Sequence, residues 1–141
     1  MKNKGGMTLI EVVISLAIFG IIVVAIYPAF LVLAKMNILS EANLSSNYIA
    51  QDVSENIYHY SKTINENQLI ANIVNDGYTL IEQNGDNYRL VKTDNGYQIT
   101  IYVNFNDPQD NFVSVIVEVA STNATISGQK SQIESVLSFG G

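Results

Sequence analysis

The sequence predicts an α+β fold in which a long N-terminal α-helix packs, by its second half, on an antiparallel β-sheet of about four or five strands. Three observations lead to this prediction. An apolar run near the N-terminus passes into an amphipathic pattern that neither glycine nor proline interrupts between Met36 and Tyr60. After about residue 77, short β-branched and aromatic runs alternate with turn-forming residues. The length of 141 residues fits one domain.

The apolar run from Val12 to Ala34 is long enough to cross a membrane. It contains no charged residue, and as a helix it would span about 34 Å. Lys2 and Lys4 precede it, so the positive-inside rule predicts a cytoplasmic N-terminus and an external remainder. Pro28 lies within the run and should kink or loosen the helix, because proline has no N–H and its ring clashes with the preceding turn.

Two simpler interpretations of this segment are a secretory signal peptide and a plain signal anchor. The apolar run is longer than the core of a typical signal peptide, and no clear small-x-small cleavage site follows it. A plain anchor leaves Glu11 unexplained, because an ionised carboxylate inside hydrocarbon costs several kcal/mol unless it is paired.

The charge and composition exclude several function classes. Beyond the first six residues the chain carries five basic and 13 acidic side chains, and such an acidic body argues against direct binding of nucleic acid. With no cysteine, the chain has no disulfide, thiolate nucleophile or zinc–cysteine site. His59 is the only histidine, and no phosphate-binding loop or dinucleotide fingerprint is present. The sequence therefore predicts a protein that is not an enzyme and holds no cofactor.

The N-terminal stretch "KGGMTLIEVVISLAIFGI" resembles the N-terminal motif of type IV prepilins and of the pseudopilins of type II secretion and competence systems. The resemblance implies that residues 1–6 are a leader that a prepilin peptidase removes by cutting between Gly6 and Met7. It also implies that Met7 becomes the N-methylated mature N-terminus. Glu11 is then the fifth mature residue, whose carboxylate meets the N-terminal amine of a neighbouring subunit and sets the register of assembly.

The resemblance also implies an organisation for the rest of the chain. Residues 7–35 would form the membrane-spanning and filament-core helix, and residues 36–141 the globular domain of the pilin fold. Within that domain, residues 36–60 would continue the helix, residues 61–76 would form the αβ-loop, and residues 77–141 the sheet. Small residues in the first half of the helix suit close helix packing; they are Ser15, Ala17, Gly20, Ala25 and Ala29.

The second half of the helix and the sheet have distinct patterns. The apolar face of the helix is expected to contain Ile38, Ala42, Ile49, Val53, Ile57 and Tyr60, with a polar gap near Ser45 and Ser46. A short helix is expected between Asn65 and Asn75. Strands are expected in "GYTLIE", "NYRLVKT", "GYQITIYVNF" and "NFVSVIVEVA", joined as an antiparallel meander, with one or two further edge strands in the tail and a turn at Gly128.

One loop has the composition of a weak metal site. "NFNDPQDN" groups Asp107 and Asp110 with amide oxygens, which are ligands that calcium accepts. The sequence favours the alternative, a hairpin loop in which the Asp-Pro pair begins the turn.

The sequence therefore predicts a structural subunit, more specifically a minor pilin, of a type IV pilus-like filament. A pseudopilin of secretion or DNA uptake is the alternative, and a membrane-tethered binding module is a further one. The expected partners are other pilin subunits, the prepilin peptidase, the inner-membrane assembly platform, and membrane lipid before assembly. The protein would be a single-pass protein of the cytoplasmic membrane and, after assembly, part of a surface filament.

Overall fold

The structure, a computed structural model, describes residues 7–105, 112–123 and 130–139. In chain order its elements are the helix α1 (Leu9–Thr63), a short 3₁₀ helix (Glu66–Gln68), the helix α2 (Leu69–Asn75), and the strands β1 (Thr79–Asn84), β2 (Asn87–Asp94), β3 (Tyr97–Phe105), β4 (Phe112–Ser121) and β5 (Lys130–Ser138). The α+β prediction is thus confirmed, including the short helix between Asn65 and Asn75.

By its internal contacts the chain divides into two compact units, Met1–Ile38 and Leu39–Gly141. In the first unit, every residue from Met7 to Ile38 is exposed. Its helix contains an 18-residue window with a mean hydropathy of 3.0, of which none is buried. This segment is long and apolar enough to cross a membrane.

In the second unit, the five strands form one sheet in the order β1-β2-β3-β4-β5. Each strand pairs antiparallel with its neighbour in the chain, which confirms the predicted meander. The tail supplies a single strand, β5, and the turn predicted at Gly128 lies outside the described residues. The ladder between β1 and β2 is interrupted by a register shift between Leu80 and Glu82.

The core lies between one face of the sheet and the second half of α1. In β3 the alternate residues Ile99, Ile101 and Val103 lie on one face of the strand and are buried. The corresponding face of β4 is buried at Val113, Val115, Val117 and Val119. α2 contributes Leu69 and Ile73, so that both helices cover the same face of the sheet.

The buried face of α1 differs from the predicted one. Ile38 is exposed, and Ile49 and Tyr60 are only partly buried. The buried positions are Ala42, Ser46, Ala50, Val53, Ile57 and Ser61. Small side chains lie on this face because they let the helix backbone approach the sheet.

Two of these buried positions are serines, and both are satisfied within the helix. Ser46 Oγ donates to the Ala42 carbonyl at 2.8 Å, and Ser61 Oγ donates to the Tyr58 carbonyl at 2.7 Å. The predicted polar gap at Ser46 is therefore part of the packed face, because the hydroxyl needs no partner from the sheet.

Two turns in this unit require residues with a positive φ. α2 ends in a Schellman motif: Tyr78 N donates to the Ile73 carbonyl at 3.4 Å and Gly77 N donates to the Val74 carbonyl at 3.0 Å. Gly77 has a φ of 90°, which a residue with a Cβ rarely adopts. Between β2 and β3, Asn95 and Gly96 have φ values of 48° and 81°, as a tight two-residue hairpin turn requires.

Candidate functional site

The candidate assembly site is the start of α1. The Thr8 carbonyl accepts hydrogen bonds from Glu11 N at 3.1 Å and from Val12 N at 3.2 Å at the start of the helix. Glu11 lies in the first turn, where a negative charge is favourable because the helix macrodipole is positive at this end. Ser15 Oγ donates to the Glu11 backbone carbonyl at 2.7 Å.

The Glu11 side chain is exposed, and its carboxylate makes no hydrogen bond or ion pair with any residue in the described ranges. Met7 lies four residues earlier, just before the helix, and is 70% exposed. Gly6, the other side of the predicted cleavage site, lies outside the described residues. The geometry thus presents a carboxylate in the first turn of the helix and the predicted mature N-terminus just before it, and leaves both accessible to another molecule.

Further along, α1 contains two residues that disfavour helix and yet lie inside it. Pro28 stands within the helix, and since it has no N–H, the Val24 carbonyl lacks its usual donor four residues on. Glycine in a helix interior, as at Gly20, lowers the stability of the helix by about 1 kcal/mol relative to alanine. A Cβ at Gly20 would meet nothing within 4 Å, so packing inside this chain does not require the glycine.

The remaining sequence predictions concern ligands. Asp107 and Asp110, the weak calcium candidates, lie outside the described residues. Among the residues that the structure describes, no cluster of His, Cys, Asp and Glu could hold a metal ion. His59 is an exposed residue of α1.

Sequence reasoning missed one feature, a groove that Tyr78 lines together with side chains from α1 and from the β2–β3 hairpin. The only local signal of this groove in the sequence was the Asp76-Gly77 pair after a short apolar run. The pair marks the end of a helix, and the next residue, Tyr78, faces inward. The rest of the groove comes from parts of the chain that are distant in sequence.

Comparison with protein families gives one match. Residues 1–27 match the family described as "Prokaryotic N-terminal methylation motif". Comparisons with curated proteins and with solved structures gave no match. The matched residues include the predicted cleavage site, Glu11 and most of the apolar run. The chain therefore carries the prokaryotic N-terminal methylation motif over residues 1–27, which supports its resemblance to type IV prepilins and pseudopilins.

Proposed function

We propose that this protein is a structural subunit, specifically a minor pilin, of a type IV pilus-like filament. In this proposal a prepilin peptidase removes residues 1–6, Met7 is N-methylated, and the inner-membrane assembly platform adds the subunit to the filament through its apolar helix. The observation that carries the proposal is the methylation motif at residues 1–27, followed by an apolar helical segment of which nothing is buried within the chain.

The exposed apolar segment must be shielded from water by another molecule. Residues 7–38 are exposed throughout, and apolar surface of this extent is unstable in water. Lipid covers it before assembly, which agrees with Lys2 and Lys4 on the cytoplasmic side. Apolar helices of neighbouring subunits cover it after assembly, so the same surface serves both as an anchor and as the core of the filament.

Glu11 gives the assembly its register. Its carboxylate has no partner within the described chain, and leaving a buried charge unpaired costs several kcal/mol. Pairing with the N-terminal amine of a neighbouring Met7 satisfies both charges. Axial shifts that separate the two groups are thereby disfavoured.

Gly20 and Pro28 support the same interpretation. Open space around Gly20 lets the backbone of a second helix approach closely, which compensates for its cost in the isolated chain. Pro28 leaves the Val24 carbonyl without a donor, so the helix can bend or loosen there as subunits pack.

The domain boundaries are part of the proposal. We assign residues 1–6 to the leader, 7–35 to the membrane and filament-core helix, and 36–141 to the globular domain. The change from a uniformly exposed segment to one with a buried face begins between Ile38 and Ala42, which supports a boundary in this part of α1.

Inhibition or deletion of the prepilin peptidase tests the proposal. The protein should then stay in the membrane with its leader attached and should be lacking from sheared filaments. A protein that functions fully without processing would instead be a tethered binding module. If the protein is processed, and its deletion leaves pili intact but abolishes secretion or DNA uptake, it would be a pseudopilin.

A further inference from the structure

A groove of about 620 Å³ lies within the second unit, between α1 and the β2–β3 hairpin. On the helix side, its wall is formed by Tyr48, Asp52, Asn56 and Tyr60. These residues recur every four positions and therefore share one face of α1. The volume is within the range of sites for small organic ligands, about 300–1,000 Å³.

The opposite wall is built by the turn after α2 and by β2. Tyr60 Oη donates to Asp76 Oδ2 at 2.7 Å, which joins the two walls at one end. Lys92 Nζ donates to the Asp76 carbonyl at 2.9 Å and lies 5.3 Å from the centre of the Tyr78 ring. The positions of Asp76 and Tyr78 follow from the Schellman motif at Gly77.

The groove carries an excess of negative charge. Its lining includes Asp52, Asp76 and Asp94 and a single cation, Lys92. Within residues 7–105, 112–123 and 130–139, the carboxylates of Asp52 and Asp94 make no hydrogen bond and no ion pair. Two carboxylates at the groove are therefore left without a cationic partner.

Tyr78 is a second, independent feature of the groove. Its side chain belongs to the core, with the residue only 8% exposed, yet its hydroxyl makes no hydrogen bond to any part of the chain that the structure describes. Burial, followed by the negative charges of Asp76, Asp52 and Asp94, raises the pKa of Tyr78 to about 12. Tyr78 lines the groove together with the three carboxylates, so a hydroxyl without a partner in the described chain lies at the same opening as Asp52, Asp76 and Asp94.

We propose that this groove binds an alkylammonium group, the chemistry that a lysine side chain or a polyamine carries. Its N–H groups would donate to Asp52, Asp94 and the Tyr78 hydroxyl, and its alkyl chain would lie along the tyrosine rings, whose faces attract cations. A bare metal ion fits less well, because it would leave the aromatic wall and most of the volume unfilled. This inference is independent of filament assembly.

Titration calorimetry on the full chain in neutral detergent tests the proposal with two probes, spermidine and an end-capped tetralysine peptide. We expect saturable binding at one site, weakened by 0.5 M salt because the attraction is between charges that salt screens. If spermidine binds more tightly, the natural ligand is a free polyamine; if the peptide binds more tightly, it is a lysine of a partner protein. Failure of both probes to saturate would overturn the proposal.

Two matched controls make the test specific. The same peptide with every lysine acetylated should not bind, and equal binding would overturn the role of the ammonium group. Asp52→Asn and Asp94→Asn should each weaken binding by about fivefold, since both side chains are exposed and unpaired and their loss spares the fold. Glu134→Gln removes the same charge from the exposed strand β5 and should leave binding unchanged. Equal weakening by all three variants, or full displacement of the probes by equimolar Mg²⁺, would also overturn the proposal.

Discussion

Tyr60, in the last turn of α1, donates a hydrogen bond of 2.7 Å to the carboxylate of Asp76, the residue that caps the C-terminal end of α2. This contact joins two helices that both pack against the core. The bond and the negative charge of Asp76 stabilise the protonated phenol, so the pKa of Tyr60 is raised above its usual value of 10.0.

Replacing Tyr60 by phenylalanine should therefore destabilise the globular domain. We expect the free energy of unfolding to fall by about 1 kcal/mol, because the hydrogen bond is solvent-accessible and its net contribution to stability is modest. Denaturant titration followed by tyrosine fluorescence and circular dichroism measures this change. Tyr48→Phe is the control, since Tyr48 is 71% exposed and its hydroxyl makes no hydrogen bond in the described structure. Equal stability of the two variants would contradict the role of the contact.

Alkaline pH should unfold the domain partly through Tyr78. Its pKa rises from 10.0 to about 12 on folding, so folding favours the protonated phenol. The resulting stability is complete below about pH 10 and is lost as the pH rises through about 12, for a total of about 3 kcal/mol. Asp52, Asp76, Asp94, Tyr60 and Lys92 surround this group.

Comparison with Tyr78→Phe isolates this effect, because the variant keeps every surrounding group, including Lys92. The free energy of unfolding of the wild type should fall more steeply between pH 10 and pH 12 than that of the variant. Parallel pH profiles would show that Tyr78 does not contribute.

A fragment beginning at Met36 should fold without the apolar segment. None of the residues from Met7 to Ile38 is buried, so their removal takes nothing from the core of the second unit. We expect residues 36–141 to be soluble and monomeric and to unfold cooperatively, with a strand signal in circular dichroism. Aggregation, or a spectrum without strand signal, would mean that the boundary is misplaced.

Leader processing should depend on Gly6. The prepilin motif requires a small residue beside the scissile bond, so Gly6→Val should leave residues 1–6 attached. Intact-mass measurement should detect the full leader in this variant and an N-methylated Met7 in the wild type. Gly5→Val, one residue earlier, is the matched control and should still be processed. A wild-type N-terminus beyond Ala34 would indicate ordinary secretion instead.

Glu11→Gln should separate processing from assembly. Cleavage should persist, because the leader is intact and the cut lies one helical turn away. Incorporation into filaments should fall more than a hundredfold, since breaking a buried ion pair costs about 3–5 kcal/mol and about 1.4 kcal/mol corresponds to a factor of ten. Immunoblots of membrane and sheared-filament fractions measure the loss. Glu41→Gln, at an exposed position of α1, should assemble normally. Equal incorporation of the Glu11 variant and the wild type would refute the register role.

The sheet could be predicted from sequence because its signals are local. Alternation places Ile99, Ile101 and Val103 on one face whatever the rest of the chain does. The helix face was predicted less well, because hydrophobicity favoured Ile38 whereas close packing on the sheet selected small residues such as Ala50. Serine hydroxyls that bond to the helix backbone cannot be recognised from periodicity alone.

The groove could not be predicted, because it depends on tertiary placement. Asp52, Asp76 and Asp94 are spread over three elements, and only the folded domain brings them to one opening. In the sequence each is an ordinary surface carboxylate. The start of α1 was predictable for the opposite reason, since its motif is contiguous and matches a known family over residues 1–27.

The meander order of the sheet has a consequence for the order in which the domain can form. None of the five described strands inserts between two earlier ones, so each can pair as soon as it has emerged, and the described part of α1 that they cover emerges before them. Because each strand pairs with the next strand in the chain, only short loops must close for the strands to pair, and this favours rapid folding. In the export proposed above, the domain can therefore form progressively, strand by strand, and its sheet is complete only when β5, at its last edge, has crossed the membrane.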